Sequence, residues 1–368
     1  MWATSRATTD TAPPVARVRE LHPGWFASVM GTAILAVATY DNPGAEDYLL
    51  PTAHLLGIVL AVLAYALAAV LLAAYLIRWI RHREAAVADL RNPVVGALYG
   101  TVPGGLLVLA VMTSVIGPSI LPEHVVTLAV AVLTVVGGIL AAAISVTFAY
   151  VLFAGETPHA LVNGGWFIPP VVTIIIPLAL ATLIPQLDGG NAQLLLALGY
   201  AFYGLGFLLF LFMMGLLHDR LILHTMPGAP LAPSLWIALG PVGVGVLALL
   251  ALAHAAAPML QTGGAAVVAI SRLAATGLWG FGVWWLAVAV ALLVRYLRTG
   301  PLPFGLGWWA FTFPLGAFTV ATLALARAWD TAALEVFGAA LYTGLVAFWI
   351  LVTANTLRGL RNGQVWKR

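Results

Sequence analysis

The chain has 368 residues, of which 62% are hydrophobic and only 8% charged, with a net charge of +3 and no cysteine. A soluble globular domain carries about a quarter charged residues, so this composition excludes such a domain and favours an integral membrane protein. The missing cysteines exclude disulfides, thiolate metal sites and iron–sulfur clusters, and the basic residues lie in short loops, which does not indicate nucleic-acid binding.

Residues 1–21 are polar, and no short apolar core precedes a small-residue cleavage site, so we expect a cytosolic tail rather than a cleaved signal peptide. A helix that crosses about 30 Å of hydrocarbon needs about 20 apolar residues. The sequence therefore predicts an all-α membrane protein of ten transmembrane helices, arranged as five helical hairpins. The predicted spans are 24–40, 52–77, 94–116, 123–153, 166–185, 192–217, 235–254, 265–294, 308–328 and 332–357.

The basic residues predict the orientation of these spans. An even number of spans places both termini on one side of the membrane. If that side is the cytosol, the cytosolic segments hold fourteen of the sixteen basic residues, and only Arg272 and Arg327 fall on the other half. This bias fits the positive-inside rule. We predict a multi-pass protein of the plasma or inner membrane, with a tail at 1–21, a transport domain at 22–357 and a cytosolic tail at 358–368.

The odd and even spans differ in proline content. The even spans have no internal proline, whereas each odd span has one inside it or at its start, about one per helical hairpin. The prolines of the odd spans are Pro23, Pro103, Pro170, Pro177, Pro241 and Pro314. Because proline bends a helix and frees a carbonyl that hydrocarbon cannot satisfy, we expect five proline-kinked inner helices around a central pore and five outer helices facing lipid.

Ionisable residues are almost absent from the predicted inner helices: none occurs within 24–40, 94–116, 166–185 or 235–253, and Arg327 lies only at the outer end of the ninth span. This argues against a carboxylate proton relay and against an acidic ring that selects cations. Hydroxyl groups and backbone remain for a permeating anion, although a bond from each hydroxyl to its own helix is the simpler interpretation. The predicted pore-lining residues are Ser28, Thr32, Pro103, Pro170, Thr173, Pro177, Pro241, Thr312 and Pro314.

A bulky ring can close a narrow pore by steric occlusion and dewetting. Phe313, which precedes Pro314, is the candidate gate, with Phe318 and Phe26 as alternatives. Core packing is the simpler interpretation for any one of these rings. Arg327 is expected to pair with the nearby acidic residues Asp330 and Glu335 in an outer loop.

Three segments resemble the tellurite-resistance/dicarboxylate transporter family, which includes slow-type anion channels, malic acid transporters and sulfite efflux pumps. The segments are Leu21-His22-Pro23-Gly24-Trp25-Phe26-Ala27-Ser28-Val29-Met30-Gly31-Thr32, Trp166-Phe167-Ile168-Pro169-Pro170 and Gly307-Trp308-Trp309-Ala310-Phe311-Thr312-Phe313-Pro314-Leu315. With the ten spans, the resemblance covers residues 20–360. It implies a homotrimer with one pore in each subunit, five inner helices kinked by proline, and a phenylalanine gate that falls on Phe313, with Phe318 or Phe311 as neighbouring choices.

The leading hypothesis is channel-like transport of a small anion, namely an inorganic anion, sulfite or a C4-dicarboxylate, without a cofactor or metal. The alternative is a proton-coupled secondary exporter of sulfite, malate or related C4-dicarboxylates. An intramembrane enzyme is disfavoured, because the sequence has no His-Glu-x-x-His motif, paired membrane aspartates or Gly-x-Ser-x-Gly. A scaffold or receptor stays open as a third class.

Overall fold

A computed structural model describes residues 18–41 and 50–366 of the chain. Within these ranges the regular elements are all helical, and ten helical segments are long and apolar enough to cross a membrane, which confirms the predicted fold class and number of spans. The α-helices of these spans, named α1 to α10, are Phe26–Tyr40, Leu50–Arg81, Thr101–Ile116, Glu123–Ala154, Ile168–Leu183, Gly189–Leu223, Leu239–Ala256, Gly264–Thr299, Phe313–Trp329 and Ala332–Arg361.

Short helices lead into the five odd spans. We call them leads: the 3-10 helices Pro23–Trp25, Gly164–Phe167, Ala229–Ala238 and Leu306–Phe311, and the short α-helix Val95–Leu98. A further α-helix, Arg83–Leu90, links α2 to the lead of α3. Short 3-10 helices also lie at Gly117–Ser119, His159–Leu161, Ile184–Gln186, Ala257–Met259, Gln261–Gly263 and Gln364–Trp366. Of the predicted tails, residues 1–17, 367 and 368 lie outside the described ranges, whereas α10 continues through Arg361.

Burial separates the odd spans from the even spans. Between 78% and 89% of the most apolar stretch of each odd span is buried, against 17–28% for each even span. The even helices present rows of large apolar side chains such as Val70, Phe153 and Leu223 to the surroundings. In a membrane these rows contact lipid, so the odd spans form the interior and the even spans form an outer layer.

The five odd helices form a closed ring. Helix α1 packs against α3, α3 against α5, α5 against α7, α7 against α9, and α9 returns to α1. Each even helix packs against the odd helix that precedes it in the chain. The approach within the ring is close: a Cβ on Gly243 of α7 would lie 2.5 Å from the backbone of Ala317 and Phe318 of α9, which leaves no room for a larger residue at 243.

The prolines lie mainly where each lead meets its helix. Pro103, Pro170, Pro241 and Pro314 fall in the first turn of α3, α5, α7 and α9, and Pro23 begins the first lead. Proline is well tolerated at these positions because the first N–H groups of a helix have no carbonyl partner within it. Only Pro177, of the six predicted prolines, lies in a helix interior. Each odd span is therefore broken at its junction with the lead.

The two sets of helices also differ in length. The odd helices have 15 to 18 residues and the even helices 30 to 36. At 1.5 Å per residue these correspond to about 22–27 Å and about 45–54 Å. The outer layer is therefore much taller than the ring of α-helices inside it, and the leads occupy part of the difference.

Candidate functional site

A cavity of about 120 Å³ lies where the five leads meet. This side of the molecule, on which the odd spans begin and the even spans end, is called the N face below. Every described lining residue belongs to an odd span or to the segment that leads into it. The polar side chains among them are His22, Thr101, Asn163, Ser234 and Trp309, and no carboxylate, lysine or arginine is among the lining residues described.

Two of the leads begin with the same type of cap. The His22 Nδ1 atom accepts a hydrogen bond from the Gly24 N–H (3.1 Å), and the Asn163 Oδ1 atom accepts one from the Gly165 N–H (2.7 Å). Side-chain acceptors at these positions satisfy N–H groups that have no partner within the helix. The cap also fixes both side chains at the cavity, one from the first span and one from the fifth.

Hydrogen bonds join the leads to their neighbours around the cavity. The Gly164 N–H donates to the Ser234 hydroxyl (3.1 Å), which links the start of the fifth span to the start of the seventh. The Thr101 hydroxyl lies 2.9 Å from the Pro23 carbonyl oxygen, as well as 2.7 Å from the Leu98 carbonyl oxygen, and so links the third span to the first. These bonds tie the start of the third span to the first and the start of the fifth to the seventh, so these segments of the cavity wall are not independent loops.

The inner end of the cavity is apolar. Of the lining residues, Met30 and Val171 lie furthest along α1 and α5, and Phe313 and Pro314 lie in the first turn of α9. A Cβ on Gly240 of α7 would lie 3.6 Å from the Phe313 ring, so this ring lies beside α7 as well. Phe313 is only 5% exposed, and its ring forms part of the layer in which the cavity ends.

The other candidate gates each pack against an aromatic ring of an outer helix. Phe26 packs edge-on against Tyr75 of α2, with 5.2 Å between ring centroids, and Phe318 stacks on Trp279 of α8 at 6.4 Å. Phe311 stacks on Phe348 of α10 at 4.9 Å. All three rings thus pack against outer helices. Among the described residues Phe313 makes no comparable ring pair, so it is the candidate with the least aromatic packing to hold it in place.

The predicted hydroxyls are buried, and most donate to their own helix. The Ser28, Thr173 and Thr312 hydroxyls donate to the carbonyls of Trp25, Pro169 and Trp309, at 2.7 to 2.8 Å. These are bonds to a carbonyl one turn earlier, the local pattern expected of Ser and Thr in helices. Each hydroxyl keeps its lone pairs, but in this conformation its proton is directed to the helix.

The remaining predicted pore residues are also buried, and only two predicted site residues reach the cavity. Thr32 accepts a hydrogen bond from the Trp349 Nε1–H of α10 (3.1 Å), which places its hydroxyl toward the outer layer. Pro103, Pro170, Pro177 and Pro241 are buried in their helices and do not line the cavity. Phe313 and Pro314 are the two that line it. The assignment of the others to a pore stays a prediction.

Two charged contacts anchor the ends of the bundle. Arg78, at the end of α2, is fully buried: it donates to the Asp89 carboxylate (2.6 Å), the Tyr99 hydroxyl (2.9 Å) and the Arg19 carbonyl (3.1 Å). On the opposite face Arg327 pairs with Asp41 at 2.7 Å. The expected partners of Arg327 were Asp330 and Glu335; Asp41 is brought to it because the ends of α1 and α9 are neighbours in the ring.

The match to known proteins covers the whole transmembrane region. Residues 20–357 match the family model described as SLAC1, voltage-dependent anion channel. The chain belongs to this family. The SLAC1 match begins two residues before His22 and ends within α10, so it includes all five leads, the cavity and the full ring of inner helices.

Several curated relatives of this SLAC1 family protein carry transport names. An uncharacterized transporter of Methanocaldococcus jannaschii is 31% identical over 353 residues, covering 95% of this chain and 96% of the relative. A sulfite efflux pump of Arthroderma otae is 27% identical, covering 92% and 91%. A malic acid transport protein of Schizosaccharomyces pombe is 27% identical over 191 residues, covering 50% and 43%.

Sequence reasoning missed two polar residues of the cavity in this SLAC1 family chain, Asn163 and Ser234. Asn163 caps the lead of α5 and Ser234 lies in the lead of α7, before the predicted starts of their spans at 166 and 235. A signal was present: Pro-Gly-Trp-Phe at 23–26 and Gly-Gly-Trp-Phe at 164–167 are similar, and the residues that precede them, His22 and Asn163, have the same capping role.

Proposed function

We propose that this protein conducts small anions passively along the axis of the inner ring, and that the Phe313 ring closes the path at the inner end of the cavity. The observation that carries the proposal is the convergence of all five leads on one cavity without a carboxylate, lysine or arginine among its described lining residues. The family match supports anions as the substrate class.

The chemistry of the cavity supports anions in a second way. The α-helices of the five odd spans begin at or beside its wall. The start of an α-helix carries a partial positive charge of about half an elementary charge. Together with the polar groups of Thr101, Asn163 and Ser234, these starts favour a negative ion over a positive one. Because the described lining residues include no lysine or arginine, the anion is held weakly and can leave again, as conduction requires.

The decisive experiment is anion current from purified protein in a planar bilayer, before and after Phe313→Ala. If the ring is the barrier, its removal raises conductance about tenfold or more, since each 1.4 kcal/mol removed from a barrier is a factor of ten. Phe212→Ala is the matched control, because Phe212 is 66% exposed on the outer layer. An unchanged current in correctly inserted Phe313→Ala would contradict the gate, and a rise in Phe26→Ala or Phe318→Ala instead would reassign it.

A proton-coupled exporter of sulfite or a C4-dicarboxylate is the second candidate. Two observations favour it: His22 is a titratable side chain in the cavity wall, and relatives carry the names sulfite efflux pump and malic acid transport protein. The two candidates separate in sealed vesicles that hold equal anion concentrations inside and outside. With both pH values well above the pKa values of the anion, so that its charge state is the same on both sides, a pH gradient imposed at zero voltage drives net anion flux only in the coupled exporter; passive conduction predicts none.

We further propose that the N face is cytosolic and that the protein is a homotrimer with a separate path in each subunit. The orientation rests on the basic residues at the N face, such as Arg81, Arg91 and Arg298. The chain has no cysteine, so single cysteines at Arg91 and Glu123 report the two faces by membrane-impermeant labelling of intact cells. Glu123→Cys should label and Arg91→Cys should not; native mass spectrometry in detergent tests the trimer.

A further inference from the structure

Two histidines and an aspartate come together on the N face, outside the cavity. His159 begins a 3-10 turn in the link between α4 and α5, Asp219 lies in the last turns of α6, and His224 follows α6 directly. One ligand atom from each residue lies within 4.8 Å of the other two. The two imidazole rings stack, with 4.9 Å between centroids and 25° between planes.

Both histidines lie at ion-pair distance from the same carboxylate oxygen. A single carboxylate oxygen, Asp219 Oδ2, faces both histidines, at 3.5 Å from His224 Nε2 and 4.0 Å from His159 Nδ1. The longer distance exceeds a hydrogen bond. The three potential ligand atoms, one from each side chain, therefore lie around the same small volume.

We propose that His159, Asp219 and His224 form a binding site for a divalent transition-metal ion. With metal–ligand bonds of about 2.0–2.2 Å, the ligand atoms of a tetrahedral site lie about 3.3–3.6 Å apart. The present distances need a closure of at most about 1.5 Å to reach this geometry. The side chains are free to turn, because they are 73%, 41% and 38% exposed in chain order.

The donor set determines the class of metal. Two imidazole nitrogens and one carboxylate oxygen, with water as the fourth ligand, suit Zn²⁺ and its neighbours Co²⁺, Ni²⁺ and Cu²⁺. Mg²⁺ and Ca²⁺ prefer oxygen ligands throughout. Zn²⁺ is therefore the probe ion, and Mg²⁺ at the same concentration is the ion that should not bind.

A bound ion would join two segments that also build the cavity wall. His159 lies four residues before Asn163, and His224 lies ten residues before Ser234. These segments already meet at one point, where the Gly164 N–H donates to the Ser234 hydroxyl. The ion would add a second connection between them at the N face. The expected consequence is a higher thermal unfolding temperature, independent of whether the protein conducts anions.

The test is isothermal titration calorimetry of full-length protein in detergent, purified without a polyhistidine tag, together with Tm measured with and without Zn²⁺. We expect saturable binding of one Zn²⁺ per chain and a rise in Tm. His159→Ala, Asp219→Asn and His224→Ala should each weaken binding about tenfold or more, since loss even of a group that only supports a ligand costs 10–100-fold. His124→Ala is the control: His124 is exposed on the opposite face and should change nothing.

The triple variant of His159→Ala, Asp219→Asn and His224→Ala decides the outcome. If the wild type binds Zn²⁺ no more tightly than this variant, or if Zn²⁺ raises the Tm of both equally, the site does not exist. Because all three side chains are at least partly exposed, the triple variant should fold, and an unchanged elution volume on size-exclusion chromatography verifies this. Loss of binding and of the Tm rise in the triple variant, with both kept in His124→Ala, supports the proposal.

Discussion

The odd and even spans are both apolar enough to cross a membrane, yet the odd spans are buried inside the bundle and the even spans lie on its outside. The odd spans are short, begin with a separate lead, and bury most of their residues. The even spans are long single helices that expose theirs to lipid. Lipid tails are as apolar as leucine, so hydrophobicity does not decide which helix is inside. The inner position follows instead from the broken backbone and the close approach of the odd helices. Polar main-chain groups that are freed at a junction must be satisfied by protein or water.

The largest effect on stability is expected at a charged residue that an even helix buries instead of exposing. Arg78 ends α2 but is fully buried with Asp89 and Tyr99. Arg78→Met removes the buried cation that contacts the Asp89 carboxylate, and breaking a buried ion pair of this kind costs about 3–5 kcal/mol in free energy of unfolding. Chemical unfolding in detergent measures this, with the exposed Arg81→Met as control. Equal stability of the two variants would show that the buried pair contributes little.

The next prediction compares a phenylalanine of an inner helix with a phenylalanine of an outer helix. Phe318→Ala removes a fully buried side chain between α9 and α8, while Phe212→Ala removes one that is 66% exposed. We expect a loss of about 2–3 kcal/mol for Phe318→Ala, below the 3–5 kcal/mol of soluble cores because the alternative surroundings are lipid rather than water. Phe212→Ala should stay within about 0.5 kcal/mol. Similar losses for both would contradict the division into inner and outer layers.

A smaller effect separates hydroxyls that join two spans from those that bond their own helix. Ser234→Ala removes the acceptor of the buried Gly164 N–H and should cost about 1–2 kcal/mol. Thr343→Ala on α10 removes an exposed hydroxyl that donates to Ala339, and should cost less than about 0.5 kcal/mol. Hydrogen exchange at Gly164 provides the local measurement: faster exchange in Ser234→Ala but not in Thr343→Ala is the expected result.

The smallest effect is expected on the face opposite the N face, at the solvent-exposed ends of the inner helices α1 and α9. Arg327 and Asp41 pair with about half of each side chain exposed. A double-mutant cycle with Arg327→Gln and Asp41→Asn should give less than about 1 kcal/mol, and the coupling should fall as salt is added. A coupling that is large and independent of salt would mean that this pair is shielded from water.

The sequence predicted the number of spans and their alternation, because length and apolar composition carry that information. It placed the ends of the even helices too early: 192–217 was predicted where Gly189–Leu223 is helical, and 265–294 where Gly264–Thr299 is helical. These ends contain His218, Asp219 and Arg298, which hydropathy rejects. The helix nevertheless continues, because its backbone bonds are internal and do not depend on hydrocarbon.

The site was harder to predict, because the direction of a side chain is decided by packing. Thr32 and Thr312 belong to inner helices, but their hydroxyls are engaged by Trp349 of the outer layer and by their own helix. Asn163, which caps a lead, and Ser234, which lies in one, were overlooked because composition assigns these segments to loops. Phe313 was singled out by its proline neighbour and does line the cavity, although the sequence could not distinguish it from Phe318 on physical grounds.

The described wall of the cavity has no carboxylate, lysine or arginine, and this has a consequence for the order in which anions would enter. An anion that moves from water into this space loses part of its hydration shell and meets hydroxyl, amide and helix-start dipoles in return. Such dipoles replace water only incompletely. The cost of entry is then governed by how strongly each anion holds its water, so large anions of diffuse charge enter at lower cost than small compact ones.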